Sequence, residues 1–585
     1  MSSSYDRLPT IPINSESRLC LEGISEVVKA LAGEISVGRT RVALELYPGV
    51  LAERLIDSLR EALPDAIFMD TSDVFKTPEK LRHQFAVSLG DDPVFGFMQS
   101  WKVEAYFEPD QLDSARERIR HHNGVAVVVG TGATHVVEDA DFLVHVGTTR
   151  WVLQGRQRAH KIGNLGLENA ADSPATLYKN AFFLDWRVGD ALRHELYGKV
   201  DWFVDLDDPD VPRALQGHVL RAAVKHVVHR PFRVVPFFDP GPWGGQWMRE
   251  RFGLPEDAAN YAWAFDCVPE ENNILLQFGT RCFSLPAQVL VDEQPEALLG
   301  AEVHRQFGAE FPIRFDYLDT VGGGNLSLQV HPLEAYIREH FGMKYTQDES
   351  YYILDCKPGA HMYLGLCEGV KPRAFANALR EADEGKQDLD AEQWVNLIPT
   401  HRHDHFSIPA GTVHCSGRDN VVLEISATPY IFTFKLWDWG RMGLDGRPRP
   451  VHLERGLANI QWDRDTRWVD ENLRRPISVV DQGDGWREER TGLHELEFIE
   501  TRRHWFTKAV AHDTSGNVNV LSLVEGDAVV IESPDDLFAP MVVHYGETFI
   551  VPAAVGAYVI RPAADTSTPL ATIKAFVRVN DRQER

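Results

Sequence analysis

Cysteine is scarce and dispersed. Cys20, Cys267, Cys282, Cys356, Cys367 and Cys415 are spread over 585 residues with no C-x-x-C pair. That removes the usual signatures of a cysteine-bound structural zinc and of a dithiol redox site, and leaves the thiols as small hydrophobes. Long apolar runs are missing as well. No stretch approaches the roughly 18 residues of a membrane span, and the start Met1-Ser2-Ser3-Ser4-Tyr5-Asp6 has no basic segment leading into an apolar core. The expectation is a cytoplasmic protein without a membrane partner. Positive charge is in deficit too: the formal net charge of −26 repels nucleic-acid phosphates and anionic lipid, so no nucleic-acid partner is expected. A local basic pocket remains compatible with that overall charge. There is no regular short-period repeat.

What is present is an ordinary globular composition, 44% hydrophobic and 25% charged, over a length that exceeds one hydrophobic core. Up to about residue 230, apolar β-like runs alternate with amphipathic stretches. The runs include Arg41 to Leu46, Ala66 to Asp70, Val125 to Gly130 and Phe142 to Val146. Between the first two, Leu51, Leu55, Ile56, Leu59 and Leu63 share one helical face. From about Phe237 the texture becomes short alternating segments broken by Gly, Pro, Asp and Asn. Helical inserts are expected at Pro332 to Phe341 and Arg373 to Leu397, and the polar stretch Asp470 to Arg490 is expected to join two β units. The predicted architecture is multi-domain, a three-layer α/β domain (1–232) followed by an all-β pair (233–485 and 486–585) with helical inserts.

The chemistry-bearing residues cluster in the middle unit. In Leu326-Ser327-Leu328-Gln329-Val330-His331-Pro332, strand alternation sends Gln329 and His331 to one face. Glu349 opens a second strand, Glu349-Ser350-Tyr351-Tyr352-Ile353-Leu354. His414 ends Pro409-Ala410-Gly411-Thr412-Val413-His414, whose P-x-G-x-x-H spacing matches the second motif of cupin barrels. Two imidazoles, a carboxylate and an amide oxygen suit zinc first, and ligand type alone leaves manganese, iron and cobalt open.

With these residues in hand the chain resembles the class I mannose-6-phosphate isomerase family from about Phe237 onward. Trp243-Gly244-Gly245, Phe311-Pro312-Ile313 with Leu318-Asp319, the Gln329-Val330-His331-Pro332 motif and the Glu349 strand match in order. Val421-Val422-Leu423-Glu424, Trp437-Asp438-Trp439-Gly440-Arg441 and Val451-His452-Leu453-Glu454 follow. The resemblance implies a double cupin (jelly-roll) fold and reversible conversion of mannose 6-phosphate to fructose 6-phosphate through a cis-enediol. It makes Glu424 a proton shuttle and a sugar phosphate the small-molecule partner. It also gives the terminal barrel, which lacks the motif histidine at Tyr558, a packing role without metal. A homo-oligomer is left open.

Basic positions of the family are altered. Pro242, Asp316 and Gln347 stand where lysines are common, Lys435 stands for an arginine, and Asn260-Tyr261-Ala262-Trp263 lacks the family's Glu. Lys344, Lys435 and Arg441 remain as anion candidates. These changes keep two alternatives in view, an isomerase of another, non-phosphorylated sugar and a non-catalytic carbohydrate or nucleotide sensor. His401-Arg402-His403-Asp404-His405 reads as a solvated turn formed by Asp404 rather than a second metal site. The first 230 or so residues resemble a P-loop nucleoside or uridine kinase fold. Leu46-Tyr47-Pro48-Gly49-Val50 carries neither the lysine nor the hydroxyl of a working phosphate loop. Asp70, Asp73, Arg156, Arg158 and Lys161 are its remaining polar candidates, so a degenerate domain for binding, regulation or assembly is expected.

Overall fold

A computed structural model describes residues 4–428, 431–444, 446, 449–474, 477–492, 494 and 496–578, and divides into two compact units. Strands that stay apolar on both faces need cover on both faces, and parallel pairing supplies it in the first unit. Here β1 (Arg41–Leu46), β2 (Ile67–Asp70), β3 (Ala126–Gly130), β4 (Phe142–Gly147) and β5 (Trp202–Asp205) lie parallel in the order β2-β3-β1-β4-β5. Arg213–Gln216 and Leu21–Glu22 extend the sheet antiparallel. The helical face foreseen at 51–63 forms the helix Glu53–Ala62, with Leu55 and Leu59 buried in the core made by Val42, Leu44, Val127, Val144 and Val204.

This unit comprises Thr10–Val227 together with Glu270–Gln294. Composition shifts near residue 237 and so assigns 270–294 to the metal-binding unit; the structure differs. The hairpin Asn273–Phe278 and Arg281–Pro286 pairs with Thr10–Asn14, parallel, in the register Thr10 to Leu275. A backbone ladder between segments more than 250 residues apart leaves no trace in local composition.

The second unit contains both β layers of the catalytic candidate. It uses β6 (Ile313–Asp319), β7 (Leu328–Val330), β8 (Glu349–Cys356), β9 (His405–Ile408), β10 (His414–Ser416), β11 (Asn420–Ala427) and β12 (Phe434–Trp437). One sheet runs β9-β8-β11-β6 and continues through Trp263–Cys267 and Phe237–Asp239. The other runs Val395–Pro399, His361–Leu366, β10, β7 and β12. Helices Glu334–Phe341 and Pro372–Asp383 are the inserts; the second is shorter than the 373–397 expected, ending at a turn in which Gly385 has φ +69°, and Val395 begins a strand. The terminal β layers have six and four strands around Phe506, Leu521, Leu523, Ile531, Phe549 and Ile560. Their first hairpin, Ser478–Gly483 with Trp486–Thr491, pairs onto Ile499–Phe506. The expected boundary at 485/486 therefore falls in a hairpin turn, where Gly485 has φ +82°. Within this unit the terminal layers meet the metal-binding ones through Tyr317 and Ser522 (2.7 Å between hydroxyls) and through Arg503, which donates to the His403 carbonyl at 2.8 Å.

Candidate metal centre

Strand alternation and a tight turn position the ligands. Gln329 on β7 lies directly opposite His414 on β10, and His331, two residues on, reaches the same interior. The turn before His414 is built closely: Gly411 has φ +87°, and a Cβ there would meet Gln461 at 2.7 Å, Leu333 at 2.9 Å and the Asn459 carbonyl at 3.0 Å. Arg464 donates to the carbonyls of Pro409 (2.8 Å) and Ala410 (2.7 Å) and to the Thr412 hydroxyl. Asp348 accepts from Ala410 N at 2.8 Å. His414 is thus aimed by a fully bonded loop.

Glu349 comes from the opposite sheet. Its Oε2 lies 3.1 Å from His331 Nε2 and its Oε1 lies 2.7 Å from His414 Nε2. One ligand atom from each of the three residues falls within 4.8 Å of the others, and all three residues are buried. A terminal atom of the Gln329 carboxamide lies 3.3 Å from His414 Nε2, and a half-turn of the amide presents Oε1 there. His414 Nδ1 lies 2.8 Å from the Thr412 carbonyl, which takes that N–H and leaves Nε2 as a lone pair. Burial drives the Glu349 carboxyl upward, but the two imidazoles outweigh it and hold the group well below the carboxylate range. With Glu349 buried, ionised and flanked by imidazole nitrogens, and His331 Nε2 and Glu349 Oε1 lacking hydrogen bonds of good geometry, these donors fit a divalent metal ion.

Glu424 stands on β11 in the same interior. Its Oε1 accepts from Arg314 Nη2 at 2.8 Å and from Gln347 Nε2 at 3.2 Å, and Gln347 Nε2 also lies 3.2 Å from Glu349 Oε2. Arg314 Nε donates to Asp316 at 2.8 Å. Burial, then the carboxylates of Asp316 and Glu349, raise the Glu424 carboxyl well above its ordinary range, with Arg314 opposing. Sequence reasoning missed Arg314. The signal was available: an arginine and an aspartate two apart in an otherwise apolar strand share one face.

The other basic candidates divide. Lys435 on β12 is the cross-strand partner of Gln329. Burial first, then Arg449, lower its ammonium to about 8. Arg441 is held by internal acceptors, with Nε and Nη2 on Asp438 Oδ1 at 3.0 and 2.6 Å and Nη1 on the Asn325 carbonyl. Arg449, also missed, donates to Asp438 Oδ2 at 2.9 Å and to the Ser327 hydroxyl at 3.2 Å. Arg441 and Arg449 thus converge on one carboxylate, whose charge also favours the Lys435 ammonium. Lys344 is exposed and lies 3.4 Å from Glu310.

The His401 to His405 stretch is only partly the solvated turn expected. Asp404 does accept from His401 N at 2.8 Å. His403, however, bonds Tyr352 (2.8 Å) and Glu525 (3.0 Å), and His405 bonds Thr491 and Ser350, both at 2.9 Å. Their ring nitrogens tie the two β layers together, a role set by strands about 90 to 120 residues further on.

In the first unit the crevice past the ends of β1 and β4 is filled from within. Tyr47, Arg150 and Arg193 converge on Asp190 at 2.9, 2.9 and 3.1 Å. Arg156 caps the carbonyls of Leu206 (2.7 Å) and Asp207 (3.2 Å), Arg158 stacks on Trp151, and Asp70, Asp73 and Lys161 are exposed. A Cβ at Gly49 would meet Leu153 at 2.8 Å, so the turn after β1 packs on side chains. No described helix is long and apolar enough to cross a membrane.

A family model described as a domain of unknown function (DUF8485) matches residues 23–229. The "Probable mannose-6-phosphate isomerase GmuF" of Bacillus subtilis (strain 168) is 28% identical over 235 residues, covering 39% of this chain and 68% of that protein. "Mannose-6-phosphate isomerase ManA" of the same organism is 26% identical over 236 residues, covering 40% and 68%. A crystal structure of the mannose 6-phosphate isomerase from Bacillus subtilis aligns with a TM-score of 0.48 at 18% identity, covering 59% of this chain and 99% of that one. The chain is similar to mannose-6-phosphate isomerases over its matched part, and its residues 23–229 to a domain of unassigned role.

Proposed function

We propose that the chain is a metal-dependent sugar-phosphate isomerase that interconverts mannose 6-phosphate and fructose 6-phosphate through a cis-enediol, on a cupin-type barrel. The observation that carries this is a buried His331, Glu349 and His414 cluster, with Glu424 linked to Glu349 through Gln347. Gln329, His331, Glu349 and His414 hold the ion, zinc first among divalent metals. When bound, it supplies a Lewis acid for the sugar oxygens. Glu424 moves the proton between C1 and C2, and burial with the neighbouring carboxylates raises its affinity for a proton. Lys435, with Arg441 and Arg449 behind it, receives the phosphate. The first unit is a kinase-like domain without phosphoryl transfer, used for binding or assembly.

The experiment is a coupled assay of mannose 6-phosphate conversion on metal-reconstituted full-length protein, wild type against His414→Ala. Turnover in wild type alone, with metal lost in the variant, supports the reading; metal-loaded wild type without turnover sinks it. A second reading, an isomerase of a non-phosphorylated sugar, is favoured by Asp316 and Gln347, which leave the Glu424 wall without the expected lysines. A panel of sugars with and without phosphate separates the two.

A further inference from the structure

We propose that Arg314 is a positioning residue of the isomerisation, orienting Glu424 toward the sugar while allowing two facing carboxylates to share one interior. The proposal rests on the isomerase reading and names a residue on which it depends. The register of β6 against β11 sets Asp316 directly opposite Glu424. Like charges facing each other across a ladder destabilise it, and both carboxylates are buried, Asp316 at 0% exposure and Glu424 at 4%. Arg314, two residues before Asp316, projects from the same face and gives Nε to Asp316 and Nη2 to Glu424, each at 2.8 Å. One planar fork spans both acids. An ammonium on a flexible stem supplies charge but not that fixed pair of directions.

Glu424 is supported a second time. Its Oε1 also accepts from Gln347, whose Nε2 lies at the same 3.2 Å from the metal-site Glu349. Asp316, Arg314, Glu424, Gln347 and Glu349 therefore form one hydrogen-bonded chain ending at the metal ligands, and neither of the two bonds to Glu424 uses Oε2. Positions 316 and 347 are two of the three at which the resemblance leads one to expect lysines. The structure replaces them with one guanidinium at a position outside the matched motifs. Arg314 is thereby committed to two carboxyl groups of its own wall, so this wall meets the sugar through hydrogen-bonding groups and suits the neutral, hydroxyl-bearing end.

The test uses metal-loaded full-length protein carrying Arg314→Met, Arg314→Lys, or Arg314→Met with Asp316→Asn. In Arg314→Met, kcat is expected to fall roughly 100- to 1000-fold, in line with loss of a group that orients catalytic charge, while KM for the sugar phosphate and metal content stay near wild type. Arg314→Lys is expected to recover no more than about tenfold. The double variant removes the uncompensated acid, so it is expected to fold and bind metal while kcat stays low. A crystal structure of the double variant should show Glu424 turned away from Gln347 with His331, Glu349 and His414 in place. Unchanged kcat, a KM that rises as far as kcat falls, full rescue by lysine, or a Glu424 that does not move overturns the proposal. Wild type without turnover on any sugar phosphate sinks the isomerase reading instead, and the position of Glu424 in the variant still decides whether Arg314 orients it.

Discussion

Lys435 offers a sharp test of how this pocket meets a phosphate. It stands opposite Gln329, largely buried and beside Arg449 and Arg441, and its ammonium is lowered to about 8. It is therefore charged at neutral pH and neutral at pH 9 and above, unlike any arginine at the same place. A unit charge pair at about 4 Å and an effective dielectric of about 20 interacts by roughly 4 kcal/mol, so loss of the charge matters. If phosphate binds only to the protonated form, KM scales with one plus the ratio of neutral to charged lysine. It should rise by only about a third from pH 6 to 7.5 and be about 30 times higher at pH 9.5. Lys435→Arg should hold KM flat across the whole range. Initial rates on a metal-loaded coupled assay at constant ionic strength provide the measurement. A wild-type KM that stays flat to pH 9.5, or a variant whose KM rises in parallel, refutes the assignment of phosphate to Lys435. The same group has a stability signature: its folded value lies below the ordinary lysine value of 10.5, so its unfavourable contribution is full below about pH 8 and disappears as pH rises toward 10.5.

Three further outcomes follow from the packing. Glu45 is buried at the end of β1, accepts from Gly132 N, from Thr134 N at 3.0 Å and from the Thr134 hydroxyl at 3.0 Å, and burial raises its carboxyl to about 7. The folded state therefore holds a proton that the unfolded chain releases near 4.5, so this contribution falls by about 3 kcal/mol between pH 4.5 and 7. Urea unfolding of Glu45→Gln should lack that slope, and parallel wild-type and variant profiles would count against it. Arg503 is buried between Glu489 (2.8 Å) and the His403 carbonyl (2.8 Å). Arg503→Met removes the charge-assisted bonds to Glu489 and to the His403 carbonyl while Arg487 (2.9 Å) and Trp505 (3.0 Å) still hold Glu489, so it should destabilise by about 1.5–3 kcal/mol with metal content intact; a change in melting temperature of under a degree would contradict this. Gly365 has φ +67°, and a Cβ would meet Val469 at 2.3 Å and the Arg464 carbonyl at 3.0 Å, so Gly365→Ala should lower the unfolding midpoint in denaturant.

Local pattern and long-range pairing divide what was legible. Gln329 and His331 were readable because alternation over three residues decides a face, and His414 because Pro409 and Gly411 make a turn of fixed geometry. The change from parallel α/β texture to antiparallel β was equally local, written in which residues alternate and which run apolar without interruption. Tertiary structure decided the rest. Alternation shows that Arg314 and Asp316 share a face, yet only the register of β6 against β11 puts Glu424 across from them. Arg449 joins Arg441 on Asp438 across a loop, His403 and His405 find partners about 90 to 120 residues away, and 270–294 crosses to the first unit through a ladder with Thr10–Asn14. Sequence set the face each side chain takes; the partner on that face depends on how strands distant in the chain align, which only the assembled sheets determine.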